Sequence, residues 1–167
     1  RRLAFLEIGT RSPHYRTKSA AQDLSRRGPN ELRIELLIKE MREQIDSNWA
    51  ASKRVPSTKN WLFKQKPDIS EKNPSPEKTF EKAIAECGGK DWANQVPTSS
   101  GLTSAKRDKH RNIDLVYEDG HDCYQFIELK YESNNPLYAA MEALLYGVLY
   151  TVSRRRLPAA FASDRKI

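Results

Sequence analysis

RNIDLVYEDGHDCYQFIELKY, residues Arg111 to Tyr131, decides how the rest of the chain is read. Two apolar, β-prone runs, Ile113 to Tyr117 and Cys123 to Tyr131, flank the polar tip Glu118-Asp119-Gly120-His121-Asp122. Asp-Gly between such runs signals a hairpin. Three charges interrupt it: Asp114 in the first run, Glu128 and Lys130 in the second. Alternate residues of a strand share a face, so Glu128 and Lys130 point the same way. With the turn near Gly120, Asp114 faces Phe126 and Glu128 lies diagonal to it. Diagonal neighbours are ~7–8 Å apart at the backbone, within joint reach of a small ion. Ile113, Leu115 and Tyr117 share the opposite face with Ile127, Leu129 and Tyr131, a face expected to pack on a helix.

Upstream, Ser75 is a natural N-cap with Pro76 and Glu77 in the first helical turn. Phe80, Ala83, Ile84 and Cys87 form an apolar stripe, and Gly88-Gly89 ends the helix. Trp92 to Val96 reads as a strand closed by Pro97, and Lys106-Arg107-Asp108-Lys109-His110-Arg111 is a dense basic run leading into the hairpin. Downstream, Asn134 or Asn135 caps a helix with Pro136 in its first turn. Leu137, Ala140, Met141, Leu144, Leu145, Val148, Leu149 and Val152 are apolar almost all round, so this helix is expected to be buried against the sheet. Arg154-Arg155-Arg156 suits the negative end of its dipole and Pro158 stops it. Ala159 to Ser163 is a candidate last strand. The order helix, strand, hairpin, helix, strand predicts a mixed α/β domain.

Further out, Glu31 to about Trp49 carries Ile34, Leu37, Ile38, Met41, Ile45 and Trp49 at helical spacing behind Asn30 as N-cap, with Glu35–Lys39 as a supporting pair. A core-facing amphipathic helix is the plain reading, and a homodimer surface is the alternative. Residues 50–76 are a proline-rich connector anchored by Trp61-Leu62-Phe63, read either as a boundary or as a loop wrapped on one domain. Thr10 to Pro29 is a basic arm. The expected organisation is an N-terminal arm, helix and connector over residues 1–74, then a core over residues 75–167.

A chain of 167 residues can bury one sizeable core. It is 31% charged and 38% apolar, as expected of a globular domain with much polar surface. No apolar run approaches the ~20 residues of a membrane span. The start, Arg1 to Glu7, is short and carries an acid too early for the pattern expected of a signal peptide. Two cysteines, Cys87 and Cys123, form neither a CxxC pair nor a disulfide framework. A reduced, cytoplasmic compartment is the default expectation. The net charge of +7 favours a polyanionic partner, because neutralising phosphates releases condensed counterions.

Two carboxylates with room around them suit Mg²⁺, a hard cation that takes oxygen ligands and keeps several waters. Such an ion eases deprotonation of a bound water and polarises a phosphoryl oxygen. Lys130 is placed to orient the attacking water or to stabilise developing negative charge. The plain alternative is an exposed strand face of solvated charges.

Ile113-Asp114, thirteen intervening residues, then Glu128-Leu129-Lys130, with one helix before and a buried helix after, resembles the PD-(D/E)xK nuclease superfamily. The resemblance covers roughly Ser75 to Ser163, and Ile113 stands where the motif's name has proline. It implies a restriction-endonuclease-like fold, an α/β mixed β-sheet flanked by helices, here with an N-terminal helical region. It also implies that Asp114 and Glu128 bind Mg²⁺, with Mn²⁺ as a substitute, and that the Leu129 carbonyl completes the shell. Lys130 would be the catalytic lysine. The family's acid on the preceding helix falls best on Glu81 and next on Glu77. Its polar residue on the following helix falls on Glu142 or Tyr146.

Lys106, Arg107, Lys109 and Arg111 are candidate phosphate contacts at the mouth of this site, and Arg154 to Arg156 are weaker ones. His110 and His121 lie in polar turns and are not expected to act as bases. The resulting expectation is a metal-dependent nuclease, acting on DNA in preference to RNA and not on membranes. Its alternatives are an inactive nucleic-acid-binding or assembly module on the same fold, or a helical interaction protein built on residues 31–49.

Overall fold

The structure, a computed structural model, describes residues 34–52, 59–65, 75–98, 112–121, 123–131, 136–156, 161 and 167. The described elements are α1 (Ile34–Ser52), α2 (Pro76–Gly88), a short 3₁₀ turn (Gly89–Asp91), β1 (Trp92–Pro97), β2 (Asn112–Glu118), β3 (Tyr124–Ile127) and α3 (Pro136–Arg156). Helices plus a small three-stranded sheet make a mixed α/β arrangement. The sheet order is β1-β2-β3 and both pairings are antiparallel, so no parallel strand occurs among the described residues. The basic run from Lys106 to Arg111 lies outside the described residues, as does the expected strand around Ala159 to Ser163 except Phe161, which sits in a 3₁₀ turn. Among the described residues no helix is long and apolar enough to cross a membrane.

The core forms where α1 and α3 pack together over the sheet. Leu37, Met41 and Ile45 lie four residues apart, so they share one helix face, and all three are buried. They join Val116, Met141, Leu145, Leu149 and Val152 in one cluster. Ile34, assigned to the same stripe by spacing, is exposed at its end. Within α1 Lys39 pairs with Glu43 rather than with Glu35; both side chains are largely exposed, so the pair adds little. Trp61 and Phe63 anchor the connector as expected: Trp61 stacks on Phe126 and meets Tyr150 edge-on.

The hairpin turns one residue later than its sequence suggests. Asp119 N–H donates to the Cys123 carbonyl, Asp119 Oδ1 accepts the His121 N–H, and Gly120 takes φ +83°, a conformation that glycine adopts without strain. Moving the turn centre by one residue slides the pairing by two. Val116 therefore pairs with Phe126 and Leu115 with Ile127, which leaves Asp114 and Glu128 as the next residues beyond the last pair. The expected Asp114–Phe126 pairing is corrected, yet a slip of two keeps every side chain on its face. The face holding the acids is not polar throughout, because Val116 and Phe126 on it pack into the core. Asp114 and Glu128 adjoin this apolar middle on one side, and Glu118 lies at its other end.

The face of α2 also departs from expectation. Phe80 is 58% exposed, and Ala83 and Cys87 are exposed too, while Glu81 and Ala85 are the buried residues. One residue is about 100° around a helix, so the helix is turned by roughly one position from its apolar stripe. The physical reason is that this orientation brings Glu81 to two donors on β1, Asn94 and Gln95. The end of α2 is fixed by Gln65, whose Nε2 donates to the Ala85 carbonyl in the last turn and to the Gly89 carbonyl just beyond it, which also accepts the Trp92 N–H. At its start the Ser75 side chain makes no cap; the Ser75 carbonyl accepts from the Lys78 and Thr79 amides instead.

Candidate active site

Four carboxylates and two lysines meet where α2, β2, the end of β3 and α3 converge. Glu81 is 0% exposed. Its Oε1 accepts from Asn94 Nδ2 at 3.0 Å, and its Oε2 accepts from Gln95 Nε2 at 2.8 Å and Lys78 Nζ at 2.7 Å. Burial raises the Glu81 pKa, with Lys78 and Asn94 pulling it back. Lys78 also donates to Asp114 Oδ1 at 3.1 Å, so a single ammonium bridges the α2 acid and the β2 acid. Burial works against the Lys78 charge, but Glu81 and Asp114 outweigh it and hold the pKa above the ordinary lysine range.

Asp114 Oδ2 accepts the backbone N–H of Leu129 at 3.1 Å. This contact explains why β3 ends at Ile127 instead of running to Tyr131. The Leu129 amide is bonded by a side chain, not by the β2 backbone, and the two chains part there. The structure thus ties Leu129 to the acid through its amide. Beyond it, Lys130 Nζ contacts Glu128 Oε1 and lies 3.0 Å from Glu142 Oε2 on α3. Burial opposes the Lys130 charge, and the two acids more than restore it.

Glu128 is the most perturbed of the set. Its side chain is 7% exposed, and its Oε2 is buried without a hydrogen-bond partner. Burial, then the charges of Asp114 and Glu142, push its pKa up to about 9, against the pull of Lys130. A carboxylate crowded by two others and carrying an unsatisfied oxygen is the electrostatic signature of a place that accepts a cation or a proton.

Amides complete the surroundings. Asn112 Nδ2 donates to Gln95 Oε1 at 3.1 Å, and Tyr146 Oη donates to the Asn112 carbonyl at 3.0 Å. A chain of hydrogen bonds therefore runs from α3 through β2 and β1 to Glu81. Glu77, the second candidate on α2, accepts the Tyr131 N–H at 2.9 Å and clips the segment after Lys130 to the helix.

Of the residues singled out from sequence, Asp114, Glu128, Lys130, Glu81 and Glu142 come together in this network, and Tyr146 borders it. Lys106, Arg107, Lys109, Arg111 and His110 lie outside the described residues. His121 is exposed in the hairpin turn. Arg154 to Arg156 begin twelve residues beyond Glu142 on the same helix, about 18 Å along its axis. There Arg154 covers the Tyr150 and Phe161 rings, and Arg156 pairs with Asp46 of α1. Sequence reasoning missed Lys78, Asn94, Gln95 and Asn112. Two amides in succession within the otherwise apolar run Trp92 to Pro97 were the available signal, as was the i,i+3 spacing of Lys78 and Glu81.

The donors suit a hard divalent ion in kind. Asp114 and Glu128 are oxygen ligands, the Glu128 Oε2 atom lacks a partner, and Mg²⁺ needs only one or two carboxylates besides water. Among the described residues no three His, Cys, Asp or Glu side chains are already drawn together as a metal cage. Ammonium groups instead neutralise the acids. Compared with known proteins, the chain matches no family model, no curated protein and no solved structure.

Proposed function

We propose that this chain is a Mg²⁺-dependent nuclease of the restriction-endonuclease-like class, hydrolysing phosphodiester bonds, with DNA preferred to RNA. The observation that carries this reading is the buried Glu128 Oε2 left unsatisfied beside the charge of Asp114, with Lys130 on Glu128. Asp114 and Glu128 would hold the ion. When bound, it would supply a more acidic water and a polarised phosphoryl oxygen. Lys130 is kept protonated by Glu128 and Glu142, and so would steady negative charge as it develops on the phosphate. Glu81 holds Lys78 and, through Gln95, the backbone beside the site. Lys106, Arg107, Lys109 and Arg111 would contact the nucleic-acid backbone, in keeping with the +7 net charge.

A second reading, an inactive nucleic-acid-binding or assembly module, draws support from the same lysines. Both already neutralise acids that a catalytic ion would need. Incubation with plasmid, linear and single-stranded DNA, with and without Mn²⁺, separates the two. The wild type cleaves with the metal, while Asp114→Ala and Lys130→Ala remain folded and inactive. Cleavage by either variant at the wild-type rate would remove the proposed mechanism. DNA binding with no cleavage under any condition would favour the module.

A further inference from the structure

We infer that Lys78 is the resident cation of the acid cluster, and that a divalent ion reaches Asp114 by displacing its ammonium. The inference rests on the cation site proposed above and adds a residue that tunes it. Both oxygens of Asp114 are engaged, Oδ1 by Lys78 Nζ at 3.1 Å and Oδ2 by the Leu129 amide at 3.1 Å. The amide is fixed by the backbone. Lys78 is the movable partner: its side chain is 28% exposed against 17% for Lys130, and it reaches in from the surface of α2 on a flexible four-carbon stem.

The surroundings are built so that Lys78 can leave. Glu81 retains Asn94 and Gln95 as donors when the ammonium withdraws, and Asp114 retains Leu129. Neither acid is stranded. By contrast, a divalent ion and the ammonium cannot share Asp114 Oδ1 without placing two positive charges in contact. Lys78 therefore holds the carboxylates in position in the metal-free protein and sets a threshold for metal entry. It is a positioning residue acting through Asp114.

A purely structural ion pair and a displaceable counter-ion give opposite signs in one experiment. Full-length wild type, K78M and K78R are titrated with Mn²⁺ by calorimetry, and each is melted with and without Mn²⁺. K78M is expected to melt lower than wild type without metal. It should nevertheless bind Mn²⁺ about tenfold tighter, because the charge-assisted hydrogen bond to Asp114 no longer has to be broken. Its melting temperature should also rise more on adding Mn²⁺. K78R, which keeps the charge, should bind no tighter than wild type. K78Q keeps a neutral donor and gives the same comparison should K78M not accumulate as folded protein. Mn²⁺ binding by wild type that is lost in Asp114→Ala, together with equal or weaker binding by K78M, would overturn the role of Lys78 and leave the cation site standing. No Mn²⁺ binding by wild type or by either neutral variant would overturn the site and the inference together.

Discussion

Replacing Glu128 by Gln should flatten the pH dependence of stability. The unfolded carboxyl loses its proton near its ordinary value of 4.5, whereas the folded one holds it to about 9. Between these values the folded state binds one more proton than the unfolded state, so stability falls as pH rises. The slope for one proton is about 1.4 kcal/mol per pH unit. The effect is absent below 4.5 and complete above 9. With the side chain only 7% exposed, solvent screening removes little of it. Between pH 5.5 and 8 the wild type should lose on the order of 3 kcal/mol relative to E128Q. Denaturant unfolding of both proteins at half-unit pH steps, with no divalent ion present, measures the difference. Parallel stability curves would refute the argument, because they would mean that Glu128 is ionised in the folded state across the whole range.

Further substitutions test the packing around the site. A Cβ at Gly88 would lie 2.1 Å from the Trp92 ring, and Gly88 has an ordinary helical φ of −76°, so the cost of Gly88→Ala is steric. It should destabilise by about 1–3 kcal/mol, read as a lower melting temperature, and Trp92→Leu in the same chain should recover part of the loss. Asn94→Ala removes a buried donor to Glu81 and should cost about 1–3 kcal/mol. Asn94→Asp should cost more at pH 8 than at pH 5, since it sets a second carboxylate beside Glu81; equal costs at the two values would deny the hydrogen bond its role.

The periodic parts of this fold are legible in the sequence. Helical spacing finds α1 and α3, Pro76 marks the start of α2, and Asp119-Gly120 marks the hairpin. Each of these depends on local chemistry alone. What is not legible depends on partners distant in sequence. The stripe Phe80-Ala83-Ile84-Cys87 is a good local description of α2, but the rotation of the helix is decided by donors on β1 that Glu81 meets only after folding. The register follows the Asp119–Cys123 closure rather than the position of glycine itself. The acids were found because charges within apolar strands stand out. Lys78 was missed because a lysine on a helix flank is ordinary until its partner on another strand is known.

The energetics of the cluster argue that it is not there for stability. Well-packed apolar residues in place of buried ion pairs often leave a protein equally or more stable. Yet this chain buries Glu81 completely and crowds Glu128 with Asp114 and Glu142. It also holds Gln95, across from Asp114 in the β1–β2 register, at φ +49°. A non-glycine residue held there costs roughly 1–2 kcal/mol. That strain places the Gln95 amide where it donates to Glu81 and accepts from Asn112, so the distortion and the acids belong to one arrangement. The burial of Glu81, the crowding of Glu128 and the positive φ of Gln95 each raise the free energy of the folded state. A cation held by Asp114 and Glu128, as proposed above, would lower it again.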